Sequence, residues 1–301
     1  MRKLLVLLVA LVTVAAFAAV SISGSAWAKL QVEFDTTTAT PTISSGGSVR
    51  LVLSGNVGQK TRFVVSFRPN EFRVISAFIE ENLYKTDALS VNYRLGALSR
   101  GTEYVTNSGG AFALDFDMAF GDLKDNLSVF VYFPGSPLVD LDVWNRLNFT
   151  FVTLTAFAKG VLSAGAGSFP LLGLDATIDL AKALNIQGAK LSGYTNLKID
   201  PNESGLDMLP NYKFGVNFGI DKLSGGVWFE GPQTIGASVE TTVLAPVTIG
   251  GGVTLPVTLS DFSQVELNAY ARWPSELLRH EISLKFKQPK ATVAWTVSVS
   301  F

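Results

Sequence analysis

The property that constrains this chain most is a period of two. From Ala291 to Phe301 the odd positions (Ala291, Val293, Trp295, Val297, Val299, Phe301) are apolar, and the even positions (Thr292, Ala294, Thr296, Ser298, Ser300) are small or polar. A helix would scatter these side chains around its circumference, whereas an extended strand sorts them onto one greasy and one wet face. Eleven residues is also the length a tilted strand needs to cross a bilayer.

The alternation recurs. Val49, Leu51 and Leu53 oppose Arg50, Val52 and Ser54, and Phe63, Val65 and Phe67 oppose Arg62, Val64, Ser66 and Arg68. Leu89 to Leu95 and Phe112 to Phe120 follow, the latter alternating with Ala113, Asp115 and Asp117; then come Leu127 to Phe133, Leu174 to Leu180 and Tyr212 to Ile220. Near the end, Val265 to Trp273 opposes Glu266, Asn268, Tyr270 and Arg272, and His280 to Phe286 opposes Glu281, Ser283 and Lys285. Leu147 to Ala158 is apolar and threonine-rich on both faces, and Gly165 and Gly167 mark a kink or a close approach of backbones. Lys29 to Gly47 is either a first strand with a turn or a leader segment. The windows Asp179–Ile186 and Pro274–His280 suit a helical turn as well as a strand edge. Turn residues such as Gly55-Asn56, Pro69-Asn70, Pro134-Gly135-Ser136-Pro137 and Gly250-Gly251-Gly252 separate the runs.

An alternating last strand ending in Phe resembles the terminal assembly signal of bacterial outer-membrane β-barrels, here Trp295, Val297, Val299 and Phe301. The other end of the chain agrees. Met1-Arg2-Lys3 is a positive n-region, Leu4 to Val20 an almost unbroken apolar run, and Ala26-Trp27-Ala28 an A-x-A cleavage motif. The expected organisation is a signal peptide over 1–28 and one domain over 29–301. The resemblance implies an all-β fold, a single antiparallel transmembrane β-barrel in the outer membrane of a diderm bacterium. It also implies outer-membrane lipid and the barrel-assembly machinery as partners. Strand starts spaced by roughly 15 to 18 residues give about 16 strands, with 14 next and 12 to 18 as the range.

Composition narrows the classes. The chain has no cysteine, so no disulfide framework holds an exported fold together. A formal net charge of −1 offers no basic surface for nucleic acid. No segment beyond the leader reaches about 18 uncharged apolar residues, so helices do not cross a membrane here.

With apolar residues toward lipid, the opposite face lines a lumen too wide for side chains alone to fill. The function expected is a porin-like passive diffusion channel for small hydrophilic solutes, not an enzyme, with no cofactor and no metal. Homo-oligomerisation is compatible with it. Pore-lining candidates are Arg50, Arg62, Arg68, Arg94, Asp115, Asp117, Lys213, Glu266 and Arg272. Charge is unevenly spread: residues 50–100 carry eight basic and four acidic residues, and residues 101–145 seven acidic and one basic. In an up-and-down barrel this sets a basic sector beside an acidic one, with Arg50, Arg62, Arg68 and Arg94 facing Asp115 and Asp117 across or along the lumen. No long inward-folding loop rich in Glu, Phe and Gly is evident.

Catalytic signatures are thin. His280 is the one histidine, and its spacing to Ser283 lacks the two-apart arrangement and following Asn-Gly of outer-membrane phospholipases. Asp115 and Asp117 share a face but lack a calcium-loop pattern. Ala164-Gly165-Ala166-Gly167 lacks the third glycine and the helix of a dinucleotide site. Two alternatives stay open. One is a structural or lipid-handling barrel with little conductance. The other is a soluble secreted β-sandwich or adhesin, in which the aromatics would form a core instead of interfacial girdles.

Overall fold

The computed structural model describes residues 20–38, 40–57, 60–69, 73–133, 140–162, 168–231, 233–257 and 262–301. Pro134–Pro137 and Ala164–Gly167 lie outside these. The first half of the chain forms β1 (Val20–Asp35), β2 (Pro41–Val57), β3 (Thr61–Arg68), β4 (Arg73–Lys85), β5 (Leu89–Gly101) and β6 (Thr106–Phe120). Next come β7 (Leu123–Tyr132), β8 (Asp140–Phe149), β9 (Val152–Lys159), β10 (Leu171–Asp179), β11 (Ala189–Ile199) and β12 (Asn211–Ile220). The last six are β13 (Leu223–Glu230), β14 (Thr234–Thr241), β15 (Thr248–Pro256), β16 (Glu266–Ser275), β17 (Leu278–Lys287) and β18 (Lys290–Ser300).

Each strand pairs antiparallel with its sequence neighbours, and β1 pairs with both β2 and β18, so the sheet closes. Closure leaves no strand edge exposed. The fold is a single antiparallel barrel of 18 strands. This corrects the expected strand number of about 16, and 14 with it. The cause is tighter turning than a uniform spacing assumes. β12, β13 and β14 begin at Asn211, Leu223 and Thr234. The run Leu147–Ala158, apolar on both faces, holds the end of β8, a two-residue turn at Thr150-Phe151 and most of β9. Thr150 takes the left-handed φ of 36° that so short a turn demands.

Asp179–Ile186 contains one helical turn, α1 (Leu180–Ala183), whose Lys182 amide donates to the Asp179 carboxylate at 2.9 Å. Pro274–His280 is instead the end of β16, a tight turn and the start of β17.

The two faces are chemically distinct. One carries Leu95, Phe120, Phe149, Ile282 and Trp295, all about half exposed. The other carries cross-strand polar pairs: Lys285–Glu266 at 2.7 Å, Lys213–Glu230 at 3.2 Å and Lys290–Glu33 at 2.7 Å. The apolar face is convex and the polar face concave, because hydrogen bonds on the polar face bridge strands far apart in the sheet.

The two rims differ as well. At the rim where β1 begins and β18 ends, the β6–β7, β8–β9, β12–β13 and β16–β17 connections are two residues each. The opposite rim has the longer connections, including residues 160–170 and 200–210.

Candidate functional site

The site starts from a mismatch in strand length. β5 and β6 remain paired from Leu98↔Gly109 to Gly101↔Thr106. Their neighbours stop sooner, since β4 ends its pairing at Ala77↔Ala97 and β7 at Ala111↔Tyr132. The extra length is therefore a two-stranded hairpin free of the wall, with Thr102–Val105 at its tip. Gly96 lies at its root with φ of 141°, and a Cβ there would come within 2.1 Å of the Ala77 carbonyl oxygen. Only glycine accepts that conformation at that contact.

The hairpin bends inward over β7 to β10. Leu98 and Val105, 3% and 2% exposed, pack with Ala111, Ala113, Phe130, Tyr132, Trp144 and Phe157. This is the hydrophobic cluster of the described residues, and it lies inside the barrel. Burying two such side chains is worth about 1.5–3 kcal/mol each, enough to hold a short hairpin down.

Polar contacts fix its position. The Asn107 amide donates to Asp142 at 2.7 Å, and the Gly160 amide donates to the same fully buried carboxylate at 2.8 Å. Lys159 donates to the Thr106 carbonyl at 3.1 Å, and the Trp144 indole to the Gly101 carbonyl at 3.3 Å. Arg100 lies over the Trp144 ring, 4.9 Å from its centroid.

At the tip, the Glu103 amide donates to Asp175 of β10 at 2.9 Å. The Tyr104 hydroxyl donates to Glu230 of β13 at 3.0 Å. β13 lies seven positions beyond β6 in the strand order. The hairpin thus crosses from one wall to a distant one. Burial and the neighbouring Glu230 carboxylate push the Tyr104 hydroxyl well above the ordinary phenol range, so it stays a donor. At Gly173 of β10 a Cβ would come within 2.0 Å of the Thr102 hydroxyl; the tip rests on bare backbone there.

Eighteen strands about 4.8 Å apart and tilted about 40° close a ring roughly 36 Å across between backbones. A hairpin about 10 Å wide lying to one side covers only part of that ring. It separates a packed sector, β7 to β10, from the concave faces of β14 to β18 and β1 to β4.

The pore-lining candidates all fall on the concave phase of their strands, but they do not form two opposed rows. Arg94 makes a buried bidentate pair with Asp115 of the adjacent strand, and Ser128 donates to the same carboxylate. Asp117 is exposed and accepts from Asn92 at 3.3 Å and Asn126 at 2.5 Å. Arg50 donates to the Ser66 hydroxyl at 3.0 Å. Arg62 stands opposite Glu80 in the β3–β4 register, and Arg68 ends β3. Lys213 pairs with Glu230 beside the Tyr104 contact and lies 5.3 Å from the Trp228 ring centroid. Glu266 pairs with Lys285. Arg272 joins Glu281 at 2.6 Å and Glu240 at 3.2 Å, with Tyr270 donating to Glu240. Of the expected basic–acidic meetings, only Arg94 with Asp115 forms, side by side in the wall. Asp115 and Asp117 are held by arginine, amide and hydroxyl donors.

His280 faces outward, stacked between Trp273 and Trp295 with ring centroids 5.4 and 6.1 Å away. In β18, Val299 and Val297 pair with Ala26 and Ala28, and Trp295 with Leu30.

Reading the alternation alone misses the hairpin and its anchors Leu98, Tyr104, Val105, Asp142, Asp175 and Glu230. A cue was present: Phe130, Tyr132, Trp144 and Phe157 are large apolar residues on the wet phase of three consecutive strands. Wet-phase aromatics need a cover, and the hairpin supplies it.

No protein-family model matches the chain, and no curated protein matches it in sequence. Solved structures do match in shape. The outer-membrane protein OprD of Pseudomonas aeruginosa superposes with a TM-score of 0.58 at 8% identity, covering 94% of this chain and 93% of that one. OpdQ of the same organism gives 0.57 at 9% identity, covering 94% and 97%. A triple mutant of the Rhodopseudomonas blastica porin gives 0.56 at 9% identity, covering 94% and 100%. At such identities the likeness is one of fold: the chain is a porin-like β-barrel.

Proposed function

We propose that the protein is an outer-membrane channel for passive diffusion of small hydrophilic solutes, its bore narrowed by the β5–β6 hairpin. The observation that carries this is the hairpin's placement. It reaches from wall to wall yet packs to one side of a ring too wide for it to fill. The remaining concave face is polar, with ion pairs such as Arg272–Glu281 and Lys290–Glu33 along it. The half-exposed apolar convex face suits hydrocarbon rather than water. Short turns on one rim and longer loops on the other match the periplasmic and external ends of such barrels. Export through a cleaved leader and insertion by the barrel-assembly machinery belong to the same proposal.

A structural barrel of little conductance is the second reading, favoured by the aromatic cluster that fills the sector under the hairpin. Swelling of proteoliposomes in uncharged sugars of increasing size separates the two. Entry of small sugars with a sharp size limit is expected, and a lag-free rise of that limit when the hairpin is replaced by a tight turn. Liposomes that exclude even the smallest sugar would overturn the channel proposal.

A further inference from the structure

The A-x-A motif at Ala26-Trp27-Ala28 lies inside β1, and the wall needs it there. The sixteen residues of β1 alternate throughout, with Trp27 the one large apolar side chain on the polar phase. Ile22, Gly24, Ala26, Ala28, Leu30, Val32 and Phe34 share one phase, and Ser21, Ser23, Ser25, Trp27, Lys29, Gln31 and Glu33 the other. The segment ahead of Lys29 is paired on both sides. Ser25 to Ala28 stand opposite Ser300 to Val297 of β18, and Val20 to Ala28 opposite Gly55 to Gly47 of β2. Gly24 and Phe301 exchange both backbone hydrogen bonds, at 2.7 and 3.1 Å, and the Ser21 and Ser54 hydroxyls meet at 2.9 Å.

A chain beginning at Lys29 would keep only Lys29–Asp35 of β1. Seven such residues, rising about 3.3 Å each and tilted about 40°, cover roughly 18 Å of an apolar band about 25 Å tall, less than the eight-residue strands β3, β9, β13 and β14, the shortest in the wall. The final residues of β18 and the Ser48–Gly55 stretch of β2 would then face each other across a gap of unpaired peptide groups. In hydrocarbon each such group costs several kcal/mol.

We infer that the leader is removed upstream of β1, at the Ala18–Ala19 bond. There Ala16-Phe17-Ala18 supplies a second A-x-A motif. Cutting at this bond also leaves an apolar core of Leu4 to Val14, within the usual 7–15 residues of a leader's h-region, whereas the run Leu4 to Val20 exceeds it. The step is a hydrolysis by a signal peptidase. Water adds across the amide, leaving a carboxylate on Ala18 and an ammonium on Ala19, with nothing oxidised or reduced.

The inference rests on the wall being membrane-spanning, but its test reads only the N-terminus, so its failure and that of the channel proposal are distinguishable. Full-length precursor is expressed in a bacterium with two membranes, and the mature protein is purified from the outer membrane. Edman sequencing or intact mass gives its first residue. A start at Ala19 is expected, and any other start overturns the inference. Ala18→Leu should leave precursor uncut at this bond, while Ala28→Leu, on the lipid phase of β1, should be processed like the parent. The chain has no cysteine of its own, so Ser21→Cys with Ser54→Cys provides an independent readout. Oxidation should close a disulfide in the mature barrel; free thiol at position 54 alone, with residue 21 missing from the mass, overturns the inference.

Discussion

Tyr104→Phe removes one hydroxyl at the hairpin tip and leaves the ring. The bond it deletes runs to the Glu230 carboxylate at 3.0 Å, and a hydrogen bond to a charged group is worth about 1.5–3 kcal/mol. At about 1.4 kcal/mol per factor of ten, the tip should leave β13 about 10- to 150-fold more often. Leu98 and Val105 stay buried in the cluster and the Glu103 amide keeps its bond to Asp175, so residue 104 swings away from β13 while the rest of the hairpin holds. Single-channel recording in a planar bilayer should show brief excursions to a higher conductance level that are rare in the parent. Glu230→Gln keeps a neutral acceptor and should give the same excursions less often. The double variant should add little to the excursions of Tyr104→Phe, because both act on the Tyr104–Glu230 contact, although Glu230→Gln also loses the ion pair with Lys213. Burial raises the Tyr104 hydroxyl, so its bond is present below the ordinary phenol value near 10 and is lost only as pH rises past the elevated one. The parent should accordingly keep its excursions rare throughout the range from about pH 6 to 9. Traces of Tyr104→Phe identical to the parent in level and dwell time would refute the idea that this contact holds the hairpin across the bore.

Three further outcomes follow from the wall. Asp115→Asn strands the buried Arg94 guanidinium and should destabilise the barrel by about 3–5 kcal/mol, read as a lower temperature for loss of the compact gel band, whereas Asp117→Asn at an exposed site should cost little. Asp117→Asn also removes an acidic group from the concave face, so its reversal potential in a salt gradient should move toward anions; an unchanged potential would place Asp117 outside the conducting path. Ile282→Arg on the convex face should cost about 2–4 kcal/mol, while Thr292→Lys on the concave face of the adjacent strand should fold normally, a contrast visible in detergent by heat modifiability.

Much of the wall was legible in the sequence because a half-buried strand prints its two environments directly as alternation. The phases of Phe112–Phe120, Tyr212–Ile220 and Ala291–Phe301 are those seen in the barrel. The strand number was not legible. Two-residue turns such as Thr150-Phe151 carry no Gly or Pro, and Leu147–Ala158 is apolar on both faces, so a hairpin looks like a single run. The hairpin was hidden for a related reason. Alternation fixes which side a residue faces but not whether its strand has left the wall, and the one break, Leu98 on the wet phase shared with Arg94, is a single residue that reads as an ordinary strand end. Arg94 and Asp115 meet along the wall and not across it because short-range pairing wins: Arg94 satisfies Asp115 on the next strand at contact distance instead of facing it across water. In β1, the A-x-A motif masked an alternation that runs on from Ser21 to Asp35.

The most direct test of a water-filled bore beside the hairpin is the current through the purified protein in a planar lipid bilayer. Stepwise, ohmic increments that grow when the hairpin is shortened are expected. A bilayer that stays silent after verified insertion, with the parent and the shortened variant alike, would contradict it.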